Sequence, residues 1–272
     1  MQLGAGVAKG LFDQAPPSSV VFLRLLFSAV ILGAITRSGL RAARRAASRS
    51  DLKVMVGFGL ALATMNLTIY ESMSRIPLGI AVTIEFLGPL AVAVALSRRR
   101  LDLFWIALAV LGVLLLTRGS PTGIDPLGVV FALIAGTGWA AYILLSAQTG
   151  RRFAGATGLA MASMVGTLAV APLGIGYGGT RIWAPEVLVV VAGIALLSSV
   201  IPYSLELEAL RRMPATVFGI LMSLGPAVAA LVGLVLLDEV LVVQEWAAIG
   251  CVMAACLGAT RSRPPPPEAA QA

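Results

Sequence analysis

Hydrophobic and polar positions along this chain alternate in long blocks rather than residue by residue. Apolar runs with almost no charged residues are separated by short polar connections. Many of these runs approach the roughly 20 residues that cross a bilayer as a helix. Strands of a membrane barrel would instead alternate polar and apolar side chains. The pattern therefore predicts an all-α polytopic membrane protein.

Ten transmembrane helices are predicted from these runs. The first, Met1–Phe12, is too short to span a bilayer at about 18 Å, so we expect a first helix that begins upstream of Met1. Several of the other spans begin at a proline, which fits the first turn of a helix because its missing N–H has no partner there. The nine other predicted spans are Pro17–Thr36, Lys53–Ser74, Pro77–Leu96, Leu101–Thr117, Pro126–Gln148, Ala156–Ile175, Pro185–Leu210, Pro214–Leu237 and Val240–Thr260.

Four landmarks recur in two stretches of the chain at one constant offset, which indicates an internal repeat. Each stretch contains a Glu, an Arg four residues later, then a Pro and a Gly-Pro pair. They are Glu71, Arg75, Pro77 and Gly88-Pro89 in the first copy, and Glu208, Arg212, Pro214 and Gly225-Pro226 in the second. We therefore predict a first five-helix repeat over residues 1–118, a second over 119–260, and a disordered Pro-rich tail over 261–272.

Basic residues predict how the helices are oriented. The chain has 20 Lys and Arg against 13 Asp and Glu, and the bases concentrate after every second span, as in residues 37–53 and 98–100. Basic connections stay in the cytoplasm, which places both termini there. Since each repeat has five spans, the second copy enters the membrane upside down. Inverted repeats of this kind are typical of secondary transporters, whose substrate site lies near the midplane between the halves.

Composition removes several other classes of protein. The net charge of +7 lies between the apolar runs, which argues against nucleic-acid binding. The chain has no histidine, which excludes an imidazole metal site, a Ser-His-Asp triad and a histidine proton relay. It also lacks the Gly-rich phosphate loop that ATP-driven transport requires. We predict a protein that is not an enzyme and needs neither a cofactor nor a metal.

Charged side chains inside apolar runs are the first candidates for chemistry, because each costs about 2.5–3.5 kcal/mol to insert. Glu85 lies about 12 Å into its span, near the membrane centre. It would bind a substrate ammonium or a coupling proton, unless it is neutral or tied to a neighbouring helix. Lys9 would meet a substrate carboxylate, pair with Glu85 or extend to the surface. For Arg24 we favour a structural pair with a carboxylate or backbone carbonyls over direct contact with the substrate.

Other polar and aromatic residues of the spans are candidate cavity walls. Interhelical hydrogen bonds or anchoring at the lipid interface are the alternatives. These residues are Asn66, Tyr70, Trp139, Tyr142, Tyr203 and Ser223, with Glu206 at the cytoplasmic entrance.

The two Glu-Arg pairs of the repeat have the favourable i,i+4 order and would clamp helix ends, with gating as the alternative. They are Glu71 with Arg75 and Glu208 with Arg212. Proline inside a helix removes a hydrogen bond and bends it. We expect kinks at Gly88-Pro89 and Gly225-Pro226, serving either as hinges for alternating access or as a static fit to neighbouring helices.

Three stretches resemble the EamA branch of the drug/metabolite transporter superfamily, close to its threonine/homoserine exporters. They are Pro77–Leu90, Pro202–Glu206 and Met222–Ala227. The resemblance extends from Gln2 to about Thr260 and implies a ten-helix carrier of the bacterial inner membrane. Such a carrier exports small amino acids or related metabolites in exchange for protons, and its first helix is longer than the one seen here.

The partners implied by this resemblance are the lipid bilayer, a small-molecule substrate and protons, while the oligomeric state stays open. Two alternatives remain: an exporter of another metabolite or drug-like compound, and a membrane sensor or scaffold that does not transport. A membrane-embedded lipid enzyme is disfavoured, because the carboxylates are scattered and no nucleophile motif is present.

Overall fold

A computed structural model describes residues 1–46, 48–95, 101–119, 124–153, 156–202, 205 and 221–261. Its regular elements are helices, named here in chain order. They are α1 (Gln2–Lys9), α2 (Pro17–Ile35), α3 (Arg37–Ala46), α4 (Arg49–Met73), α5 (Leu78–Glu85), α6 (Leu87–Ala95), α7 (Leu101–Gly119), α8 (Pro126–Arg152), α9 (Thr157–Gly178), α10 (Pro185–Ala195), α11 (Gly225–Leu237) and α12 (Val243–Arg261). A 3-10 turn, Arg181–Trp183, precedes α10, and a π-helical turn, Leu196–Val200, continues it.

Six helical stretches in the described part are long and apolar enough to cross a membrane: α2, α4, α5 with α6, α8, α9 and α12. Shorter apolar helices occupy Leu101–Leu116, Pro185–Val200 and Gly225–Leu237. The prediction of an all-helical polytopic membrane protein is confirmed at this level. The number of ten spans, the inverted relation of the halves and the division into repeats remain predictions, and residues 262–272 lie outside the described residues.

Helix α4 begins at Arg49, before the predicted Lys53, because its first turn is polar but well capped. The Ser48 hydroxyl accepts from the Asp51 N–H at 3.2 Å, and the Asp51 carboxylate accepts from the Ser48 N–H at 2.9 Å. This reciprocal cap satisfies N–H groups that a helix start leaves free. Arg152 binds Asp51 at 2.6 Å, which explains why α8 extends beyond the predicted end at Gln148.

Helix α3 lies in the connection after α2, where no helix was predicted. Arg37, Arg41 and Arg45 recur every four residues and are exposed, while Ala43 is buried. Such a basic amphipathic helix suits the surface of a membrane rather than its interior. The sequence interpretation missed it because it searched only for apolar runs of spanning length.

Helix α5 lies at the centre of the bundle, and all eight of its residues are buried. It packs against α8 and α11, while α2 packs against α9, α4 against α8 and α9, and α7 against α12. Small residues allow the closest crossings, as is common between membrane helices. A Cβ at Gly79 would lie 2.7 Å from the Ala230 Cα, and one at Gly88 only 2.6 Å from the Gly136 carbonyl carbon.

The helices at both Gly-Pro pairs are interrupted just before the pair. Helix α5 ends at Glu85 and α6 begins at Leu87, leaving a one-residue turn at Phe86. Pro89 has no N–H to donate to the Glu85 carbonyl, which weakens the helix at this point. The second pair opens α11 after a turn at Ser223 and Leu224. Each proline therefore lies in the first turn of a new helix rather than in the middle of a continuous bent one.

Candidate functional site

Arg24 is a buried cation held by two neighbouring elements. Its side chain extends from α2 and is 8% exposed. One guanidinium nitrogen, Nη1, donates to the Tyr70 hydroxyl at 3.0 Å, and Nη2 donates to the Ser199 hydroxyl at 3.5 Å. The guanidinium carbon also lies 5.4 Å from the centre of the Tyr70 ring, a cation-π arrangement. Helix α4 and the π-helical turn thereby fix the position of this charge.

Glu85 is the acidic counterpart at the C-terminal end of α5. It is also 8% exposed, and Arg24 acts on its carboxylate electrostatically. The two side chains nevertheless do not form a direct ion pair, and within the described residues Glu85 has no hydrogen-bond partner for its carboxylate. The core of the bundle therefore contains a basic and an acidic side chain, both buried, that are not in direct contact with each other.

Aromatic rings flank both charges. Phe86, next to Glu85, meets Trp139 of α8 edge-to-face at 4.8 Å between ring centres. Phe12 packs against Tyr70 at 5.8 Å. A Cβ at Gly225 would touch the Phe86 ring, so the start of α11 also contacts this region. An apolar enclosure strengthens electrostatic interactions with a charged ligand, because it lowers the local dielectric constant.

Lys9 does not pair with Glu85, which was one of the three alternatives that the sequence left open for it. Its ammonium pairs with Glu239 at 2.5 Å and donates to the Ile76 carbonyl at 2.7 Å. The other Glu239 oxygen accepts from the Leu78 N–H at 2.8 Å. Lys9 ends a helix of only eight residues, and this places it at the Leu78 end of α5 rather than near Glu85.

The local backbone builds this cluster at the end of the bundle. Asp238 adopts a left-handed conformation with φ 53°, which turns the chain back after α11. The Glu239 N–H then donates to the Gly233 carbonyl at 3.1 Å, and the missing side chain of Gly233 leaves room for the Glu239 carboxylate. One carboxylate thereby ties together α1, α5 and α11. The sequence interpretation treated Glu239 only as a connection residue.

The remaining predicted residues lie in separate environments. Asn66 is buried, and its amide donates to the Leu62 carbonyl of its own helix at 2.8 Å. Tyr142 packs against Phe58 with ring centres 5.1 Å apart. Ser223 is buried in the turn before α11. Four predicted residues lie outside the described residues: Tyr203, Glu206, Glu208 and Arg212.

Glu71 and Arg75 form an i,i+4 ion pair at 2.7 Å near the end of α4. The Arg75 guanidinium also lies 4.9 Å from the centre of the Phe131 ring. Beside this pair is an open cleft of about 230 Å³ whose lining includes Ser18, Glu71, Phe131 and Tyr177. The lining contains neither Arg24 nor Glu85, so this cleft is distinct from the buried charges.

Ser199 is the functional candidate that the sequence interpretation missed. It lies within a long apolar run, in the π-helical turn that continues α10. Single π-helical turns inside α-helices often occur at functional sites. The signal available in the sequence was the pair Ser198-Ser199 within that run. No metal-binding group of acidic, cysteine or histidine side chains occurs among the residues that the structure describes.

The fold is that of a multi-pass helical membrane protein, and comparison with known proteins shows the class to which it belongs. Residues 126–261 match the EamA-like transporter family, and the chain belongs to that family. Over 262 residues it is 38% identical to the "Threonine/homoserine exporter RhtA" of Escherichia coli (strain K12), covering 96% of this chain and 87% of the relative. The protein of the same name from Salmonella typhimurium (strain LT2) has the same identity and coverage. The expectation of a transporter rather than an enzyme is thereby confirmed.

A solved crystal structure supports the fold independently. It superposes with a TM-score of 0.57 at 15% identity, covering 95% of this chain and 94% of the solved one. This similarity concerns the arrangement of the helices alone.

Proposed function

We propose that the protein is a secondary active exporter of small amino acids in the bacterial inner membrane. The observation that carries the proposal is the pair of buried ionisable side chains, the base Arg24 and the acid Glu85, which are not in direct contact. An amino acid at neutral pH is a zwitterion, so it offers one charge to each. The names of its relatives favour substrates of the threonine and homoserine type.

Glu85 is also suited to couple transport to protons. A buried carboxylate is stable when it is either neutralised by a cation or protonated. An arriving substrate ammonium therefore displaces the proton, and a departing one lets the proton return. This competition exchanges one substrate for one proton without requiring a second site. A buried ionisable group in a membrane span has this kind of role in pumps and other transporters.

Alternating access requires a part of the bundle that moves, and α5 has the necessary connections. At one end the cluster of Lys9, Glu239 and the Leu78 N–H holds it in place. At the other end the turn at Phe86 separates it from α6. We propose that the cluster closes the outer entrance, and that its opening lets α5 tilt about Phe86 and expose Glu85.

Flux into liposomes tests this function. Purified protein would be reconstituted with and without a pH gradient and tested with labelled threonine, homoserine, other amino acids and a drug-like amine. We expect gradient-driven flux of the small amino acids, abolished by Glu85→Gln and retained by the exposed control Glu186→Gln. Gradient-driven flux that survives Glu85→Gln contradicts the coupling role. Flux of only the amine contradicts the substrate assignment but leaves the transporter class intact.

A further inference from the structure

We infer that Arg24 binds the carboxylate of the transported solute. This inference rests on the proposed function, and it narrows the substrate class to solutes with a free carboxylate. The guanidinium is buried in the bundle core, yet both of its hydrogen-bond partners are neutral hydroxyls, those of Tyr70 and Ser199. Its Nε is buried and has no hydrogen-bond partner within the described residues. Among the described residues, Arg24 is therefore held in position by hydroxyl groups and has no carboxylate in direct contact.

Three ion pairs among the described residues show how a structural pair is arranged in this protein. Lys9 with Glu239, Arg75 with Glu71, and Arg152 with Asp51 are in direct contact at 2.5 to 2.7 Å. All three are more exposed than Arg24. Arg24, the most buried base among the described residues, thus has no carboxylate in direct contact. Because burying an unpaired charge is costly, this arrangement favours a site whose anion arrives with the ligand.

Guanidinium chemistry specifies the anion. Arginine presents five N–H donors in a planar fork that matches the two oxygens of a carboxylate. The hydroxyls of Tyr70 and Ser199 restrain the fork from two sides, so less entropy is lost when a ligand binds. The Tyr70 ring lies beneath the guanidinium and itself packs against the Phe12 ring. These contacts further limit the movement of the guanidinium.

Glu85 specifies the second charged group of the ligand, an ammonium. Glu85 is the buried acid of the same helical core, so a solute whose carboxylate lies against Arg24 would direct its ammonium to Glu85. The ligand class is therefore the free α-amino acid. Esters and amides of amino acids retain the ammonium but lose the anion, and they should bind through Glu85 alone.

Binding measurements on purified protein test the inference through this difference. The probes are L-threonine and L-threoninamide, whose carboxylate is blocked, and the readout is isothermal titration calorimetry. We expect the wild type to prefer threonine by roughly ten- to a hundredfold, the usual range for a hydrogen-bonded charge. Arg24→Gln should lower threonine affinity to that of threoninamide and leave threoninamide binding unchanged. Arg181→Gln, at an exposed arginine, should keep the full preference.

Arg24→Lys retains the charge without the fork and provides a second variant should Arg24→Gln be poorly folded. It should retain only part of the preference for threonine. A preference that is unchanged in Arg24→Lys or Arg24→Gln overturns the inference, even where flux is normal. A wild type that transports and binds both probes equally also overturns it. A wild type that neither binds nor transports any amino acid overturns the proposed function itself.

Discussion

Arg24 and Glu85 are the single residues to which we assign the binding of substrate, and the sequence indicates each of them in a different way. Glu85 stands out because its depth within an apolar run is visible in the sequence. Arg24 has an equally unusual position, but its partners lie 46 and 175 residues away along the chain. Only the packing of α2 against α4 and the π-helical turn brings those hydroxyls to it. Lys9 does not pair with Glu85 for a related reason, since Glu239 reaches it from the connection after α11.

Tyr70→Phe tests the positioning of Arg24. The substitution removes the hydroxyl that accepts from Nη1 and keeps the ring beneath the guanidinium. Because a hydrogen bond to a charged group contributes about 1.5–3 kcal/mol, we expect threonine affinity to fall roughly tenfold or more in calorimetry. The exposed Tyr177 is the control, and Tyr177→Phe should bind normally. Equal affinities of the Tyr70→Phe variant and the wild type would show that Tyr70 does not position Arg24.

At the scale of elements, the central helix α5 combines a capped end, a fully buried surface and a terminal interruption. The sequence predicted one span over Pro77–Leu96 with a kink at Gly88-Pro89. The helix is interrupted at Phe86 because Pro89 has no N–H to donate to the Glu85 carbonyl. The close contact of Gly88 with the Gly136 backbone was not predictable, because nothing in the local pattern indicates which helix approaches so closely.

Gly88→Ala tests that contact. The added methyl group would collide with the Gly136 backbone, which cannot rotate away as a side chain can. Overpacking of this kind typically costs about 1–3 kcal/mol, so we expect a clear fall in the melting temperature of the detergent-purified protein. In Gly176→Ala the new methyl meets no atom within 4 Å, and the melting temperature should barely change. Similar melting temperatures for the two variants would contradict the described crossing of α6 and α8.

The cluster at the other end of α5 provides a second test at this scale. Lys9→Met and Glu239→Met each leave a half-buried charge without its partner, so each should lower the melting temperature. The double variant removes both charges, and its loss should be smaller than the sum of the single losses. The coupling for such a contacting pair is of the order of 0.5–3 kcal/mol. Strictly additive losses would show that the ion pair contributes nothing to stability.

For the whole molecule, apolar run length was sufficient to predict a polytopic helical membrane protein, and the residues of the Gly-Pro helices were sufficient to predict the family. The amphipathic helix α3 was missed because its pattern differs from that of a spanning helix. The joining of α1, α5 and α11 by Glu239 was missed because contacts between distant helix ends leave no periodic signal. The inverted relation of the two halves remains a prediction from the sequence, and the alternating access that we propose rests on it.

Crosslinking tests the movement of the whole molecule. In a variant lacking Cys251 and Cys256, cysteines would replace Lys9 and Glu239 and be bridged by a short bifunctional reagent. If the cluster must open during transport, the bridge should abolish flux into liposomes while calorimetry still detects threonine binding. Cleaving the bridge should restore the flux. Undiminished flux in the bridged protein would contradict opening at this end of the bundle.

The position of a bound amino acid tests the central claim most directly. A crystal structure of the protein with threonine would show where the ligand lies among the helices. We predict the threonine carboxylate against the Arg24 guanidinium and its ammonium facing Glu85, within hydrogen-bond distance of each. Threonine bound instead in the open cleft beside Glu71 and Tyr177, with Arg24 and Glu85 untouched, would contradict the account.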